Sequence, residues 1–320
     1  MSTQALILNY ILKRYVKSIR PSVENSSYTD ARKMMNQKGY EDKNQNFISK
    51  LLLNKIFDKK KSDLNISELY LAQIRTLKFS SPSFSQEKCI LYFHGGGYVA
   101  GSPETHQNFL ISLAKKSQIS IYAIDYSLAP EKQYPAALND AVASYRSLLD
   151  MGYSEENIFM GGDSAGGNLT LVSALKLQEI GNKLPAKLFL LSPWTNLTAS
   201  GESIKSNSES DPYLSYDNFL TTSQSMKKAV EEWYAPNEDY RNPLISPVFA
   251  NFNSFPETLI QVSDIEILLS DAVDVAKKLE QNNNKVILKI YKNLPHVWQV
   301  FGFLPEAKEA TVEISNFLNC

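Results

Sequence analysis

The chain has 320 residues, 33 lysines and arginines against 34 aspartates and glutamates, a net charge of −1 and no long block of one sign. A chain of this size buries about three quarters of its unfolded surface, so it folds without a metal or a disulfide, and the balanced charge argues against a nucleic-acid partner. Its two cysteines, Cys89 and Cys320, lie far apart and read as unpaired residues of a reducing compartment. The expectation is a cytoplasmic protein with Cys89 buried in a strand.

At the N-terminus, Leu6, Ile7, Leu8, Ile11, Leu12, Tyr15, Val16 and Ile19 alternate with Gln4, Asn9, Lys13, Lys17 and Ser18, which predicts an amphipathic helix over residues 4–19. No basic stretch precedes the helix and no small-residue cleavage site follows it, so it does not read as an export signal. No apolar run is long enough to span a membrane. The basic polar face would suit a membrane surface, but the helix is expected to pack over the body of the same protein. Residues 20–70 are polar and broken by Pro21 and Gly39, with helical patches around 28–38 and 46–58.

Leu71 to Phe79 alternates apolar and polar residues, as a half-exposed strand does, and Cys89 to Phe93 is a short buried strand. A helix over Glu104–Ser117, a strand over Ile119–Ile124, a helix over Pro135–Leu149, a strand over Asn157–Met160, a helix over Ala165–Ile180 and a strand over Ala186–Leu191 follow in turn. That alternation predicts a mostly parallel sheet with helices on both faces. Residues 198–245 break it: a serine- and asparagine-rich stretch precedes a helix over Asn218–Trp233, and the whole reads as an insertion over the sheet. Strands at Thr258–Val262 and Val286–Tyr291, a helix running to about Gln281 and a last helix over Glu306–Leu318 complete the chain.

Two glycine-rich strings stand at strand ends. Gly162-Asp163-Ser164-Ala165-Gly166 fills the G-x-S-x-G pattern, in which a serine rides a sharp strand-to-helix turn with its hydroxyl exposed. Alone the pattern is weak, since roughly one chain in ten of this length would carry it by chance. His94-Gly95-Gly96-Gly97 is far rarer, and this string together with the stretch Gly161 to Gly167 holds seven of the 13 glycines. A loop free of side chains can aim backbone N–H groups at a developing oxyanion, and in esterases such a loop works together with the N–H after the nucleophile, here that of Ala165. A serine nucleophile needs a base, and in this architecture the order is Ser, then Asp or Glu, then His. Of the three histidines, His94 and His106 precede Ser164, which leaves His296. His94 reads as a structural residue pinning its loop. Asp264, Glu266 and Asp271 all follow the penultimate strand, and each could orient the imidazole.

Together His94-Gly95-Gly96-Gly97, Asp125-Tyr126-Ser127-Leu128-Ala129-Pro130-Glu131, Gly162-Asp163-Ser164-Ala165-Gly166-Gly167, Ser192-Pro193-Trp194 and His296-Val297-Trp298 resemble the hormone-sensitive-lipase-like family of α/β-hydrolases over about residues 71–318. The resemblance implies an α/β-hydrolase fold with an eight-stranded, mostly parallel sheet and a helical cap. The cap would be a segment over residues 1–60 and the insertion at about 198–245, set on a catalytic domain over 61–320. It implies a serine carboxylesterase of short- to medium-chain esters, with a lactone hydrolase, an amidase or a non-catalytic small-molecule receptor as alternatives. No metal or cofactor is expected. The family register sets Glu266 as the acid ahead of Asp264 and leaves Asp271 to start a helix, where a carboxylate suits the dipole. It implies an oxyanion hole from the N–H groups of Gly96, Gly97 and Ala165. Ser127 stands where arginine is common, at the expected expense of a structural ion pair, and Asn242-Pro243 where an acidic residue often precedes the proline. The partner is a small-molecule ester, and an exposed last strand would allow a homodimer.

Overall fold

The computed structural model describes residues 1–19, 27–30, 32, 63–215 and 219–320. The apolar runs pair into a single sheet of eight strands: β1 (Asn65–Leu71), β2 (Ile74–Ser80), β3 (Ser85–Phe93), β4 (Ile119–Ile124), β5 (Ile158–Asp163), β6 (Lys187–Leu191), β7 (Glu257–Ser263) and β8 (Val286–Tyr291), in the order β1-β2-β4-β3-β5-β6-β7-β8. The pairs β1–β2 and β2–β4 are antiparallel and the other five are parallel. A parallel pair needs a crossover, and the chain supplies α2 (Gln107–Ser117), α3 (Ala136–Asp150), α4 (Ala165–Glu179) and α7 (Leu269–Gln281). The short α5 (Glu202–Ser206) and α6 (Phe219–Lys228) lie between β6 and β7; α1 (Thr3–Ile19) and α8 (Pro305–Asn319) stand at the ends.

Strand alternation explains why both faces are apolar. In β3, Cys89, Leu91 and Phe93 point to one core with Ala141 and Tyr145 of α3 and Leu169 and Val172 of α4, whereas Ile90 and Tyr92 point to the other with Phe109 and Leu113 of α2 and Ile314 of α8. Strands covered on both sides read as continuous apolar runs rather than alternating ones. Cys89 is buried there, and Cys320 is exposed; both are free thiols.

Two sequence expectations are corrected. The run Leu71–Phe79 is not one strand but the inner part of a hairpin, reversed at Ala72 and Gln73, whose φ angles are +46° and +70°. Tight hairpin turns of this hand favour Asn-Gly, so an Ala-Gln pair gave no turn signal. The strand leading to the nucleophile also runs on to Asp163 instead of stopping at Met160. Glycine is required there by close approach, since a Cβ on Gly161 would lie 2.3 Å from the Phe189 ring of β6.

The N-terminal helix packs on the body. Ala5, Leu8 and Leu12 are buried against Leu294, Trp298, Phe301 and Leu304, the loop that follows β8. Asn9 Nδ2 donates to Asn293 O at 2.8 Å and Lys13 Nζ to Glu209 O at 2.7 Å. Of the 28–38 patch, residues 28–30 and 32 are described and helical, and Arg32 donates to Val99 O at 2.6 Å and pairs with Glu131. The 46–58 patch lies outside the described residues. The predicted helix over Asn218–Trp233 is α6 continued by a wider turn over Ala229–Tyr234, and Tyr234 stacks on Tyr98 at 3.9 Å. No described helix is long and apolar enough to cross a membrane.

Candidate active site

The glycine-rich strings and the loops after β6, β7 and β8 meet at the carboxyl ends of the central strands, where open parallel sheets place their sites. Ser164 joins β5 to α4 with φ +53° and ψ −119°. For a residue with a Cβ this is a strained conformation, costing on the order of 1–3 kcal/mol, and the surroundings hold it. Its N–H donates to Leu191 O at 2.9 Å, and its carbonyl accepts from Asn168 and Trp194, each at 3.1 Å. Glycine at 166 is needed for close approach: a Cβ there would sit 2.0 Å from Phe93 O. Helix α4 therefore starts hard against the end of β3. Ser164 is half-buried and Ala165 fully buried.

The loop after β3 is pinned from behind. His94 stacks on Tyr126 with centroids 4.2 Å apart, and its Nδ1 donates to Gly95 O at 2.8 Å. Burial first, then the neighbouring His106, pushes its pKa down to about 4, so the ring is neutral. The backbone turns at Gly96 and Gly97, whose φ angles are +126° and +61°. A Cβ on Gly96 would lie 2.1 Å from Ala100 O, whereas nothing lies within 4 Å of one on Gly97.

A buried network connects the two glycine strings. Asp163 Oδ1 accepts from Tyr92 Oη at 2.6 Å and from Gly95 N at 3.0 Å, and Oδ2 accepts from His106 Nε2 at 3.2 Å. Burial alone would raise the Asp163 pKa; the charge and hydrogen bond of His106 outweigh it and leave it lowered, while Asp163 holds His106 raised against its own burial.

On the other side, His296 Nδ1 donates to Glu266 Oε2 at 2.6 Å. Glu266 Oε1 accepts from Ser192 Oγ and from Ser263 N, both at 2.8 Å, and Val297 N approaches Ser192 Oγ at 3.4 Å. Glu266 is 0% and His296 4% exposed. Burial pushes Glu266 up, only partly offset by His296; burial pushes His296 down, but Glu266 more than compensates and its pKa is raised. Asp264 points elsewhere and accepts from Asn293 N at 2.7 Å. Asp271 does sit in the first turn of α7, but its role there is not that of an exposed dipole partner. Its Oδ2 accepts from Thr195 and Asn196 amides at 2.8 and 2.7 Å, and burial pushes its pKa up to about 7. It ties α7 to the loop after β6.

Sequence reasoning missed three of these partners. Ser192 and Asp163 lie inside the Ser192-Pro193-Trp194 and G-x-S-x-G strings, but nothing in the sequence says which neighbour each faces, and His106 precedes the serine, so chain order gives it no part in the triad. Ser127 donates its backbone N–H to Asp140 at 2.8 Å, and the neighbouring Asp125 forms an ion pair with Arg75 at 3.1 Å. Among the described residues, no group of three or more His, Cys, Asp or Glu is placed to hold a metal ion.

A doubly wound sheet with a strained serine at the end of a central strand defines an α/β-hydrolase, and a family model of the alpha/beta hydrolase fold matches residues 90–300. An esterase of Acinetobacter venetianus is 32% identical over 255 residues, 79% of this chain and 82% of the relative, and an acetyl-hydrolase of Streptomyces hygroscopicus is 30% identical over 76% of this chain and 79% of its own. Among solved structures, an esterase from the bacterial hormone-sensitive lipase family superposes with a TM-score of 0.84 at 30% identity, covering 99% of this chain and 98% of the other. EstE5 soaked with p-nitrophenyl butyrate gives the same TM-score, identity and coverages. The chain belongs to the hormone-sensitive-lipase-like family of α/β-hydrolases, and it is a carboxylesterase.

Proposed function

We propose that Ser164, His296 and Glu266 form the catalytic triad of this carboxylesterase. The observation that carries this reading is the 2.6 Å contact between the buried Glu266 and His296, at the same strand ends as the strained Ser164 turn. Ser164 Oγ attacks the ester carbonyl as His296 takes its proton; Glu266 holds the ring tautomer and steadies the imidazolium. The N–H groups of Gly96, Gly97 and Ala165 hold the oxyanion, and losing one such donor costs on the order of 10²- to 10³-fold in turnover. The imidazolium then protonates the departing alkoxide. Water, deprotonated by His296, attacks the acyl-enzyme carbonyl, and the imidazolium returns that proton to Ser164 Oγ as the carboxylic acid leaves.

Short- to medium-chain esters are the proposed substrates. The similarity to an acetyl-hydrolase and to a protein soaked with a butyrate ester supports that range. Residues 1–60 and about 198–245 are proposed as the cap, supported by α1 lying on the loop that carries His296. The free Cys89 and Cys320 support a reducing, cytoplasmic setting. Strand β8 ends the sheet with Ile287 and Ile290 exposed, which supports a homodimer through that edge.

Hydrolysis of p-nitrophenyl esters from acetate to palmitate tests the assignment. Turnover is expected to peak at short chains and to vanish in Ser164→Ala; turnover that survives in Ser164→Ala, or that peaks at palmitate, contradicts it.

A further inference from the structure

One buried carboxylate of the 198–245 insertion reaches the acid–base pair without taking part in the steps above. Asp211 is 3% exposed. Its Oδ1 accepts from the amides of Tyr213 and Leu214, each at 2.9 Å, and its Oδ2 accepts from Ile267 N at 3.0 Å. The two oxygens thus hold two different loops. One is the turn that carries Tyr213, whose ring lies across His296 with centroids 6.1 Å apart and planes 23° from parallel. The other is the peptide immediately after Glu266. Neighbours reinforce the seam: Asn207 Nδ2 donates to the carbonyls of Asp264 and Glu266 at 2.9 and 2.8 Å, and Ser203 Oγ to Ile267 O at 2.6 Å. Those bonds are between neutral groups. Asp211, by contrast, brings a carboxylate to all three of its backbone bonds.

We propose that Asp211 is a positioning residue for acyl transfer, fixing the Glu266 loop and the Tyr213 ring around His296 and adding a second negative charge that favours the imidazolium. The inference rests on the triad assignment above. Around His296 stand the carboxylates of Glu266, Asp211 and Asp163 and the ring of Tyr213. Glu266 is faced by His296, Asp211, the Ser192 hydroxyl and the Ser263 amide. The charge of Asp211 acts on both members of the pair in the same direction, disfavouring ionised Glu266 and favouring protonated His296. In the step where His296 accepts the serine proton, that balance shifts toward the charged ring.

Asp211→Asn separates these roles from bulk structure. It is nearly isosteric, but an amide offers a single acceptor oxygen. Either the Tyr213 turn or the bond to Ile267 survives, not both, and the charge is gone. With p-nitrophenyl butyrate as substrate, kcat is expected to fall on the order of 10- to 100-fold, as small misplacements of catalytic groups do. KM should change little, and the acidic limb of kcat/KM should move to lower pH. Tyr213→Leu keeps the carboxylate and its three backbone bonds, so it should lower kcat while leaving the acidic limb in place. An Asp211→Asn enzyme with wild-type kcat, or with reduced kcat and an unmoved acidic limb, overturns the proposal. Should Asp211→Asn fail to fold, Tyr213→Leu carries the test, and wild-type kcat there overturns the positioning role. His296→Ala is the control: if it stays active, the triad assignment fails, whereas an inactive His296→Ala beside an unaffected Asp211→Asn removes only the present inference.

Discussion

The two halves of the site are held by different physics. On the nucleophile side, backbone fit does the holding: Gly166 against Phe93, a strained Ser164 tied to Leu191 and Trp194, and a buried Asp163–His106 pair behind the glycine loop. On the acid–base side, side-chain hydrogen bonds from loops do it: Ser192 and the Ser263 amide on Glu266, and Glu266 on His296. The first half has few intermediate states, because a close-packed backbone either fits or shifts. The second is graded, because its bonds can be removed one at a time. Substitutions in the frame around the nucleophile should therefore register as lost stability, whereas those on the acid–base side, like Ser164→Ala itself, should register as lost turnover with the fold intact.

The largest expected effect sharpens the second half. Glu266→Ala should lower kcat on the order of 10⁴-fold, as loss of the tautomer-holding acid does in such triads, while Asp264→Ala, whose carboxylate holds the Asn293 amide, should keep most of its activity. Steady-state kinetics at equal folded concentration compares the two, and a reversed order would assign the acid to Asp264. Next comes the nucleophile half. His106→Ala leaves the buried Asp163 with the Tyr92 hydroxyl and Gly95 amide but without its cationic partner and should cost about 3–5 kcal/mol in urea unfolding at neutral pH. His106 is raised, so its contribution is full below its ordinary 6.5 and fades as pH rises through its folded value; Asp163 is lowered, so its own is full above 3.8 and fades as pH falls through its folded value. A loss under about 1 kcal/mol would break the contrast between the halves.

His94 gives a third test with the opposite sign to His106. Its pKa is lowered from 6.5 to about 4, so the neutral ring favours the fold fully above 6.5 and that stability is lost as pH falls toward 4. The expected loss is about 3 kcal/mol, read as a fall in urea midpoint that His94→Asn should flatten. The smallest effect belongs to Ser192→Ala, which removes one of two donors on Glu266 Oε1. A hydrogen bond to a charged group is worth about 1.5–3 kcal/mol, so kcat should fall about tenfold or somewhat more and the melting temperature by a few degrees.

Much of this was legible in the sequence, for reasons that are local. The strands through Leu91, Tyr122 and Leu190 show as apolar runs because both faces are covered. The glycine strings show because close backbone approach, as at Gly96 and Gly166, or a positive φ, as at Gly97, disfavours anything larger. His296 could be named by chain order alone. The hairpin at Ala72-Gln73 was hidden because residues with a Cβ occupy the positive-φ turn. The Asp163–His106 contact spans 57 residues and the Ser192–Glu266 contact 74, and no periodicity or motif spacing encodes pairings made only when strands line up in a sheet. The face of α1 was readable from its period, but not that the Trp298 loop would receive it.

If Ser164 is the nucleophile and His296 its base, brief exposure to a fluorophosphonate followed by intact-mass measurement reads both roles at once. The expected result is a single adduct that maps to Ser164, is absent in Ser164→Ala and forms far more slowly in His296→Ala. An adduct on another residue, or one that forms at the wild-type rate in His296→Ala, would contradict the assignment.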